Sequence, residues 1–263
     1  MGPKPEPPAG NGKRLLRLFA IGDLHLPSTR GKDMNLFGWT GHPEPLAAAW
    51  DAEVRPEDVV LVLGDISWAT RPTEVQEDLA WLEARPGRKV LLKGNHDFWW
   101  PGSAKKLGDL LVPYPSVVGF LHNGSAHREG PFVIAGVRGW TAPEAPPLPG
   151  AEGELGMESY RPDLVERDAE RLRRSVQAAA ALEEPGTIRV ACMHFPPLYA
   201  GGRETKFSPT IEAFAPAVCA YGHLHGPGIP AGFTGEHGGV RYVVASCDAA
   251  GFRPVHLLDA PTS

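Results

Sequence analysis

Five short polar clusters, each directly after an apolar run, contain the side chains of this sequence that are best suited to bind metal ions. In chain order the clusters are Gly22-Asp23-Leu24-His25, Gly64-Asp65, Gly94-Asn95-His96-Asp97, Met193-His194 and Gly222-His223-Leu224-His225. Each apolar run predicts a buried strand, which places each cluster at the carboxyl end of a strand. Open α/β sheets bind ligands just outside these ends, so the clusters are expected to converge on one site.

The donor atoms in the clusters indicate a class of metal. Leaving His96 and Asp97 aside, the clusters offer two Asp, one Asn and four His side chains. Carboxylate oxygen combined with imidazole nitrogen suits Mn, Fe, Zn or Ni better than Ca or Mg, and the lack of a thiolate argues against a structural zinc site. Alternate residues can point the same way, so one Asp-x-His or His-x-His loop can serve a centre with two metal ions.

The clusters also carry a family resemblance. In this order, the motifs D-x-H, G-D, G-N-H-D, H and G-H-x-H resemble those of the calcineurin-like metallophosphoesterase superfamily, and they extend over residues 23–225. One such motif would be a weak signal, whereas the ordered set is specific. The stretches GDISWA, KGNHDFWW, RGW and YGHLHG are similar to an uncharacterised bacterial branch of predicted phosphohydrolases, which gives no substrate.

The resemblance implies a separate set of ligands for each of two divalent metal ions. The set for the first ion would be Asp23, His25 and His225. The set for the second ion would be Asn95, His194 and His223. Asp65 would bridge the two ions. Manganese is the expected metal, with iron, zinc or nickel as alternatives.

The resemblance also implies a catalytic role for the residues that follow Asn95. His96 would face the substrate and stabilise the phosphoryl oxygens or protonate the leaving group. Asp97 would orient His96 through its ring N–H. Two cations roughly 3.5–4 Å apart lower the pKa of a bridging water, so hydroxide would attack phosphorus in line near neutral pH. The metal ions would neutralise the charge that develops on the phosphoryl oxygens.

The expected function is hydrolysis of a phosphoester, by a phosphodiesterase or a broad phosphatase acting on a small molecule or nucleotide, cyclic nucleotides included. A nuclease acting on DNA or RNA is the first alternative, but a net charge of −5 and a pI of about 6.1 provide no overall basic field for nucleic acid. The second alternative is a non-catalytic metal-bearing scaffold that binds a partner protein. The complete ligand set and His96 argue against it. Monoester or diester preference and oligomeric state stay open.

Two residues outside the clusters are candidates for contact with the substrate. Arg138 follows a predicted strand and could clamp a phosphate bidentately, or else form a salt bridge to the acidic loop beyond it. His42 lies in the long segment after the first cluster and could form part of the substrate rim. The pair Trp99-Trp100 could stack a nucleobase, but packing in the core is favoured because aromatic side chains bury a large area.

Strands and helices alternate between the clusters, as in an α/β layered structure. The β-branched run DVVLVL at 58–63 predicts a buried strand. Amphipathic patterns predict helices at 45–54, 72–84 and 161–182, the last being the longest. Residues 116–121 and 132–137 are expected to pair as strands. Further strands are predicted at 15–22, 89–92, 187–193, 217–221, 241–245 and 254–258. The resemblance implies a four-layer α-β-β-α sandwich of two mixed sheets flanked by helices.

Length and composition agree with one large domain. We expect a single domain at residues 14–263 after a Pro- and Gly-rich, disordered leader at 1–13. The three cysteines are scattered in apolar runs, which predicts buried thiols and fits a reducing, cytoplasmic compartment. No apolar stretch approaches the length needed to span a bilayer, so no membrane partner is expected.

Overall fold

The computed structural model describes residues 15–27, 34–146 and 160–261. The predicted leader at 1–13 lies outside these ranges. Among the helices within them, none combines the length and the apolar composition needed to cross a membrane.

Runs rich in Val, Ile and Leu form the strands of two large sheets, because β-branched and apolar side chains suit a buried pleated surface. The second strand reads VVLV and is buried throughout. The strands are β1 (Leu15–Ile21), β2 (Val59–Val62), β3 (Arg88–Leu92), β4 (Val117–Leu121), β5 (Ala126–Glu129), β6 (Phe132–Val137), β7 (Ile188–Met193), β8 (Leu198–Tyr199), β9 (Arg203–Glu204), β10 (Val218–Tyr221), β11 (Gly235–His237), β12 (Val240–Val244) and β13 (Val255–Pro261).

The helices pack one apolar face against the sheets. In the longest helix, Pro162 occupies the first turn, and Val165, Ala169 and Leu172 recur at helical spacing on the buried face. The helices are α1 (Glu44–Glu53), α2 (Gln76–Glu83), α3 (Ala104–Leu111), α4 (Pro162–Ala180) and α5 (Ser208–Phe214), and short 3₁₀ helices span Met34–Phe37 and Gly226–Ala231.

Both large sheets are mixed. The first has the strand order β13-β1-β2-β3-β4, in which β13 is antiparallel to β1 and the other neighbours are parallel. The second has the order β11-β12-β10-β7-β6-β5, with antiparallel strands β11 and β5 at its two edges and parallel strands between them. Strands β8 and β9 form a small separate pair.

Alternate residues of each strand face different layers. In β1, Leu18 and Ala20 belong to the apolar cluster between the two sheets, whereas Phe19 and Ile21 pack with residues of α1, α2 and α3. A third apolar cluster joins the outer face of the second sheet to α4 and α5. The chain therefore forms the expected α-β-β-α sandwich, since three apolar clusters separate four layers.

The predicted pairing of residues 116–121 with 132–137 is wrong. Strand β4 pairs with β3 in the first sheet, whereas β6 pairs with β5 and β7 in the second. The hairpin partner of β6 is the short strand β5, which was not predicted from the sequence. The two strands are joined by a two-residue turn that contains Gly130, a glycine with positive φ. The tight turn allows β6 to find a local partner, so β4 is left to extend the first sheet.

Helix boundaries also differ from the predictions. The helix expected at 72–84 begins only at Gln76, because the carboxylate of Glu74 accepts the backbone N–H groups of Thr70 and Arg71 and stabilises a turn there. Helices α3 and α5 were not predicted; both are short, with 8 and 7 residues. Short helices carry few repeats of the apolar pattern, so their sequence signal is weak.

The carboxyl ends of β1, β2 and β3 in the first sheet meet those of β7 and β10 in the second. Backbone hydrogen bonds join the sheets at this edge, where Gly22 N–H donates to Ala245 O at 2.7 Å. Within the second sheet, Gly222 N–H donates to His194 O at 3.1 Å and holds the loops after β10 and β7 together. All five polar clusters follow these strands. The topology therefore assembles them at one end of the sandwich, as expected for ligand sites in α/β sheets.

Candidate metal centre

The loops that carry the ligands have unusual backbone conformations. Four residues other than glycine at this edge have positive φ, a conformation that side chains rarely adopt and that clusters at functional sites. They are Asp23 (61°), His25 (44°), Asp65 (50°) and His223 (72°). Two of the loops are joined by backbone hydrogen bonds, from Asp23 N–H to Gly64 O at 2.8 Å and from His25 N–H to Asp65 O at 2.9 Å. The surrounding structure thus holds these conformations in place.

Two glycines allow the loops to approach the ligand carboxylates closely. A Cβ atom on Gly94 would lie 2.0 Å from Asp65 Oδ1, and one on Gly222 would lie 2.3 Å from Asp23 Oδ2. Neither position can hold a side chain without displacing a carboxylate.

The ligands expected for the first ion lie together. Asp23, His25 and His225 each offer one donor atom, and these atoms all lie within 4.8 Å of one another. His225 Nε2 is 3.3 Å from Asp23 Oδ1. Within the described ranges, the buried atom His25 Nδ1 makes no hydrogen bond, and Asp23 Oδ1 has ion-pair contacts with histidines but no hydrogen bond. Buried polar atoms are rarely left without hydrogen bonds, so both atoms fit residues that bind a cation.

The second group contains Asp23, Asp65 and His194, with donor atoms again within 4.8 Å of one another. The Nδ1 of His194 donates to the carbonyl oxygen of Leu63 at 2.9 Å, which directs its Nε2 to Asn95 Oδ1 at 2.6 Å. In the metal-free protein a proton on Nε2 can be donated to this oxygen. A cation bound by both atoms would replace that proton, so Asn95 and His194 fit the expected set.

Asp65 lies between the two groups. Its Oδ2 is 3.9 Å from His25 Nε2 and 3.5 Å from His194 Nε2, whereas its Oδ1 accepts the backbone N–H of His96 at 2.8 Å. One carboxylate oxygen therefore faces a histidine of each set. This position suits the bridging role implied by the resemblance.

His223 lies beside the second group. Its ring packs against Phe195 with centroids 3.9 Å apart, and its centroid is 5.2 Å from that of His194. Its backbone N–H donates to Asp23 Oδ2 at 2.9 Å. The structure thus brings all seven expected ligands to one edge, with His223 in contact through its ring and its backbone.

The electrostatics of the centre depend on its carboxylates. Burial disfavours a charged imidazole at His194, but the Asp65 carboxylate outweighs it and raises the pKa of His194 to about 9. Burial acts likewise at His225, where Asp23 raises the pKa to about 10. At His25 and His223 burial prevails and lowers the pKa below the ordinary value. Protons on two imidazoles balance the carboxylates here, and divalent cations can take over that role.

The Asp97 carboxylate accepts hydrogen bonds from neighbouring loops, and its expected role in orienting the His96 ring stays a prediction. It is fully buried and accepts four hydrogen bonds, from the backbone N–H groups of Ile66, Ser67 and Gly94 and from Trp99 Nε1. Burial and the nearby Asp65 raise the pKa of Asp97 to about 6. Asp97 therefore fastens the loops after β2 and β3 together, because its carboxylate is turned inward. The His96 ring lies next to Trp68, with centroids 4.7 Å apart.

Sequence reasoning missed Asp248. His225 Nδ1 donates to Asp248 Oδ1 at 3.0 Å, and Asp248 Oδ2 accepts Gly226 N–H at 2.8 Å. This contact directs His225 Nε2 toward Asp23, an arrangement that orients metal-binding histidines. Asp248 comes four residues after β12 ends. Its position after the carboxyl end of a strand was therefore the sequence signal that could have identified it. Asp248 lacks the preceding glycine that marks most of the other clusters.

His42 and Arg138 lie next to the centre rather than among the ligands. His42 Nε2 donates to the backbone carbonyl of Leu24, between Asp23 and His25, at 2.6 Å. The guanidinium of Arg138 lies 4.7 Å from the Trp140 ring centroid and 3.7 Å from Asp168 Oδ2 in α4. Most of the acidic loop that was the other expected partner lies outside the described residues. The backbone carbonyl of Arg138 accepts His194 N–H at 3.2 Å.

The predictions that Trp99 and Trp100 pack in the core and that the cysteines are buried are confirmed. Trp99 and Trp100 are 0% and 4% exposed and belong to the core around α3. The cysteines Cys192, Cys219 and Cys247 are free and buried. Neither group supplies a candidate metal ligand.

Comparison with known proteins gives local matches among curated sequences. The "Gene 66 protein" of Mycobacterium phage D29 is 45% identical over 84 residues, which are 32% of this chain and 41% of the phage protein. The "Gene 66 protein" of Mycobacterium phage L5 is 46% identical over 56 residues, 21% of this chain and 27% of that protein. The chain thus matches less than half the length of either relative.

Solved structures give wider but more distant likenesses. The protein TT1561 of Thermus thermophilus has a TM-score of 0.50 at 14% identity, over 80% of this chain and 83% of that one. Phosphopantetheinyl hydrolase from Mycobacterium tuberculosis has a TM-score of 0.49 at 20% identity, over 94% and 97% of the two chains. At such identity, the likeness to TT1561 concerns the fold alone.

A family model supplies the stronger evidence. The model described as calcineurin-like phosphoesterase matches residues 16–227, a range that includes all five polar clusters. The two mixed sheets and the ligand groups at their common edge agree with that match. The chain belongs to the calcineurin-like phosphoesterase family.

Proposed function

We propose that this chain hydrolyses phosphoesters with the help of two divalent metal ions. The observation that carries the proposal is the position of Asp65, whose Oδ2 faces His25 of one ligand set and His194 of the other. The first ion would be held by Asp23, His25, Asp65 and His225, and the second by Asp65, Asn95, His194 and His223. Such a pair supplies Lewis acidity and lowers the pKa of water.

The chain's own groups position the substrate and the proton. We assign to His96 the contact with the phosphoryl oxygens or the leaving group, because its backbone is held by Asp65 and its ring lies 5.7 Å, centroid to centroid, from that of His25. His42 would hold the loop from Asp23 to His25 through Leu24. Arg138 would present a cation near His194.

Substrate class and metal identity are part of the proposal. The donor set favours manganese, and iron, zinc or nickel are the alternatives. We favour a diesterase or a broad phosphatase for small molecules, including nucleotides. The nuclease alternative predicts activity on oligonucleotides that falls steeply with salt, since phosphate contacts release counterions. A single domain over 14–263 and a cytoplasmic location stay predictions.

The test compares two chromogenic esters. Protein stripped with chelator would receive Mn²⁺, and hydrolysis of bis(p-nitrophenyl) phosphate would be compared with that of p-nitrophenyl phosphate. We expect turnover that needs Mn²⁺ and is lost in Asp65→Ala. Asp259→Asn, at an exposed carboxylate near the end of the chain, is the control and should keep full activity.

The outcomes separate the alternatives. The preferred ester would decide between diesterase and phosphatase. A protein that binds two metal ions but turns over neither ester, nor oligonucleotides, would favour a narrow physiological substrate or the non-catalytic scaffold. A protein that fails to bind two ions would overturn the proposal.

A further inference from the structure

A cavity of about 260 Å³ lies next to the candidate metal centre at the same edge of the sandwich. Its walls include Leu92, Leu121 and Val137, which end β3, β4 and β6, together with one face of α4. In the first sheet β4 is the neighbour of β3, and in the second β6 is the neighbour of β7. The cavity therefore lies beside the loops after β3 and β7, which carry Asn95 and His194, and farther from the loops after β1 and β10.

The cavity is strongly basic. Within the described part of the chain, Lys93, Arg138, Arg167 and Arg171 line it together with a single carboxylate, that of Asp168. Four cations against one carboxylate leave a formal excess of three positive charges. The chain as a whole has a net charge of −5, so this excess is a local feature and not a consequence of composition.

Asp168 holds the guanidinium groups in place but cannot neutralise them. Its Oδ1 lies 2.9 Å from Arg167 Nε and 2.9 Å from Arg171 Nη1, and its Oδ2 lies 3.7 Å from Arg138 Nη2. Asp168 itself is fully buried, whereas the side chains of Arg167, Arg171 and Arg138 are 39%, 26% and 19% exposed. Three cations are thus fixed around one carboxylate and keep surface that an anion can reach.

The same helix provides a contrasting ion pair. Arg173 in α4 pairs with Glu170 at 2.7 Å, and both side chains are about half exposed. This is a balanced pair on a solvated face, where little net electrostatic effect is expected. The arrangement around Asp168 differs because, among the described residues, one buried carboxylate contacts three guanidinium groups that are partly withdrawn from water.

We propose that this cavity binds a phosphate group, and that the group is a second phosphate of the substrate whose scissile ester lies at the metal centre. Arginine guanidinium groups match the geometry of phosphate oxygens bidentately. Lys93 lines the cavity two residues before Asn95, and the backbone carbonyl of Arg138 accepts the N–H of His194, so the loops after β3 and β6 connect the two sites. The inference rests on the proposed function and narrows its substrates to small molecules with two phosphates.

The first test measures binding without turnover. Chelator-treated protein would be titrated with pyrophosphate by calorimetry at low salt. We expect saturable binding that weakens about tenfold or more in Arg171→Gln, since a hydrogen bond between charged groups is lost. Arg173→Gln on the same helix is the matched control and should bind as the wild type does. Should Arg171→Gln fail to fold, Arg167→Gln, at a more exposed side chain, provides the same comparison.

Binding to the metal-free protein does not depend on hydrolysis, so this test can fail while the proposed function stands. No saturable binding by the wild type in the millimolar range would overturn the inference. Equal affinity in the wild type, Arg171→Gln and Arg167→Gln would also overturn it.

The second test decides whether the phosphate belongs to the substrate. Mn²⁺-loaded protein would be titrated with alkane diphosphonates of increasing length and with the matching alkylphosphonates, which cannot be hydrolysed at phosphorus–carbon bonds. A diphosphonate that spans both sites should bind more tightly than its monophosphonate, and Arg171→Gln should remove only that difference. If no diphosphonate binds more tightly than the matching alkylphosphonate, the cavity holds a free anion. The assignment of the bound phosphate to the substrate is then wrong.

Discussion

The imidazole of His225 contacts two carboxylates with different roles. Asp23, 3.3 Å from Nε2, belongs to the ligand group, whereas Asp248, 3.0 Å from Nδ1, fixes the ring's orientation and its tautomer. His194 is oriented differently, by the backbone carbonyl of Leu63 at 2.9 Å. A single substitution at Asp248 can therefore remove the group that orients His225. No side-chain substitution removes the backbone carbonyl that orients His194.

Asp248→Asn is predicted to weaken the binding of one Mn²⁺ ion about 10–100-fold, because outer partners of ligand histidines contribute to affinity on that scale. Titration of chelator-treated protein with Mn²⁺ would measure the loss. Asp259→Asn is the matched control, as Asp259 Oδ1 also contacts a histidine, His256 Nε2 at 2.8 Å, but in β13 rather than at a ligand. Equal losses in the two variants would contradict the assigned role of Asp248.

Lys89 gives a pH-dependent prediction. Its side chain is fully buried in β3, and desolvation lowers its pKa from 10.5 to about 8. Between pH 8 and 10.5 the unfolded state therefore binds more protons than the native state, so this residue makes the protein more stable as pH rises through that window. The gain is on the order of 1 kcal/mol after allowance for screening.

Urea unfolding at pH 7 and pH 10 would measure this effect. The free energy of unfolding of the wild type minus that of Lys89→Met should increase with pH. The same difference for Lys106→Met, at an exposed position on α3, is the control and should not increase. A difference for Lys89→Met that stays constant or falls with pH would contradict the direction.

At the scale of elements, the loops after the strands determine the geometry of the centre. Asp97 links the loops after β2 and β3 through four hydrogen bonds, and Gly94 permits their close approach. The strands fix the position at which each loop begins, and these contacts between loops fix the positions of the ligand side chains. A change in loop packing should therefore reach the metal ligands without any change in the sheets.

Gly94→Ala is predicted to abolish binding of at least one metal ion, because the new Cβ would lie 2.0 Å from Asp65 Oδ1. Gly108→Ala is the control: Gly108 lies within α3, where a Cβ would meet nothing within 4 Å. That substitution should stabilise the protein by up to about 1 kcal/mol, the helix propensity difference between Gly and Ala. Mn²⁺ titration and thermal unfolding of both variants would test these two predictions. Mn²⁺ binding by Gly94→Ala at wild-type affinity would contradict the first.

At the scale of the whole molecule, the candidate centre lies where the two sheets meet. Asp23, His25, Asp65 and Asn95 follow strands of the first sheet, and the three remaining histidine ligands follow strands of the second. Ions bound here would join the sheets in the native state and would find no such site in the unfolded chain. Metal binding and folding are therefore expected to be coupled.

Mn²⁺ is predicted to stabilise the folded chain by about 2.7 kcal/mol at a free concentration 100 times its dissociation constant. Thermal unfolding with Mn²⁺ and with chelator would show the shift. In Asp65→Ala most of the shift should disappear, because the residue between the two groups is gone. An equal Mn²⁺-dependent shift in that variant would show that the ions bind elsewhere.

The sequence by itself predicted that the polar clusters would converge and that the chain would form a layered fold, and its resemblance to a known family supplied the candidate ligand set. The order of the motifs and their positions after apolar strands are local properties, so they predicted that Asp23, Asp65 and His194 would meet at one edge. Strand and helix patterns predicted an α/β layered structure, because the alternation of buried residues is a property of each segment, as in β1. The four-layer sandwich itself was implied by the family resemblance.

Only the tertiary structure decided which partners these local elements found. The choice of β3 rather than β6 as the neighbour of β4, the inward turn of Asp97, and the contact of Asp248 with His225 all depend on the packing of distant segments. The basic cavity arises in the same way, from residues on the loops after β3 and β6 and on α4. Pairwise contacts of this kind leave no periodic trace in the chain, because they are selected by close packing in three dimensions.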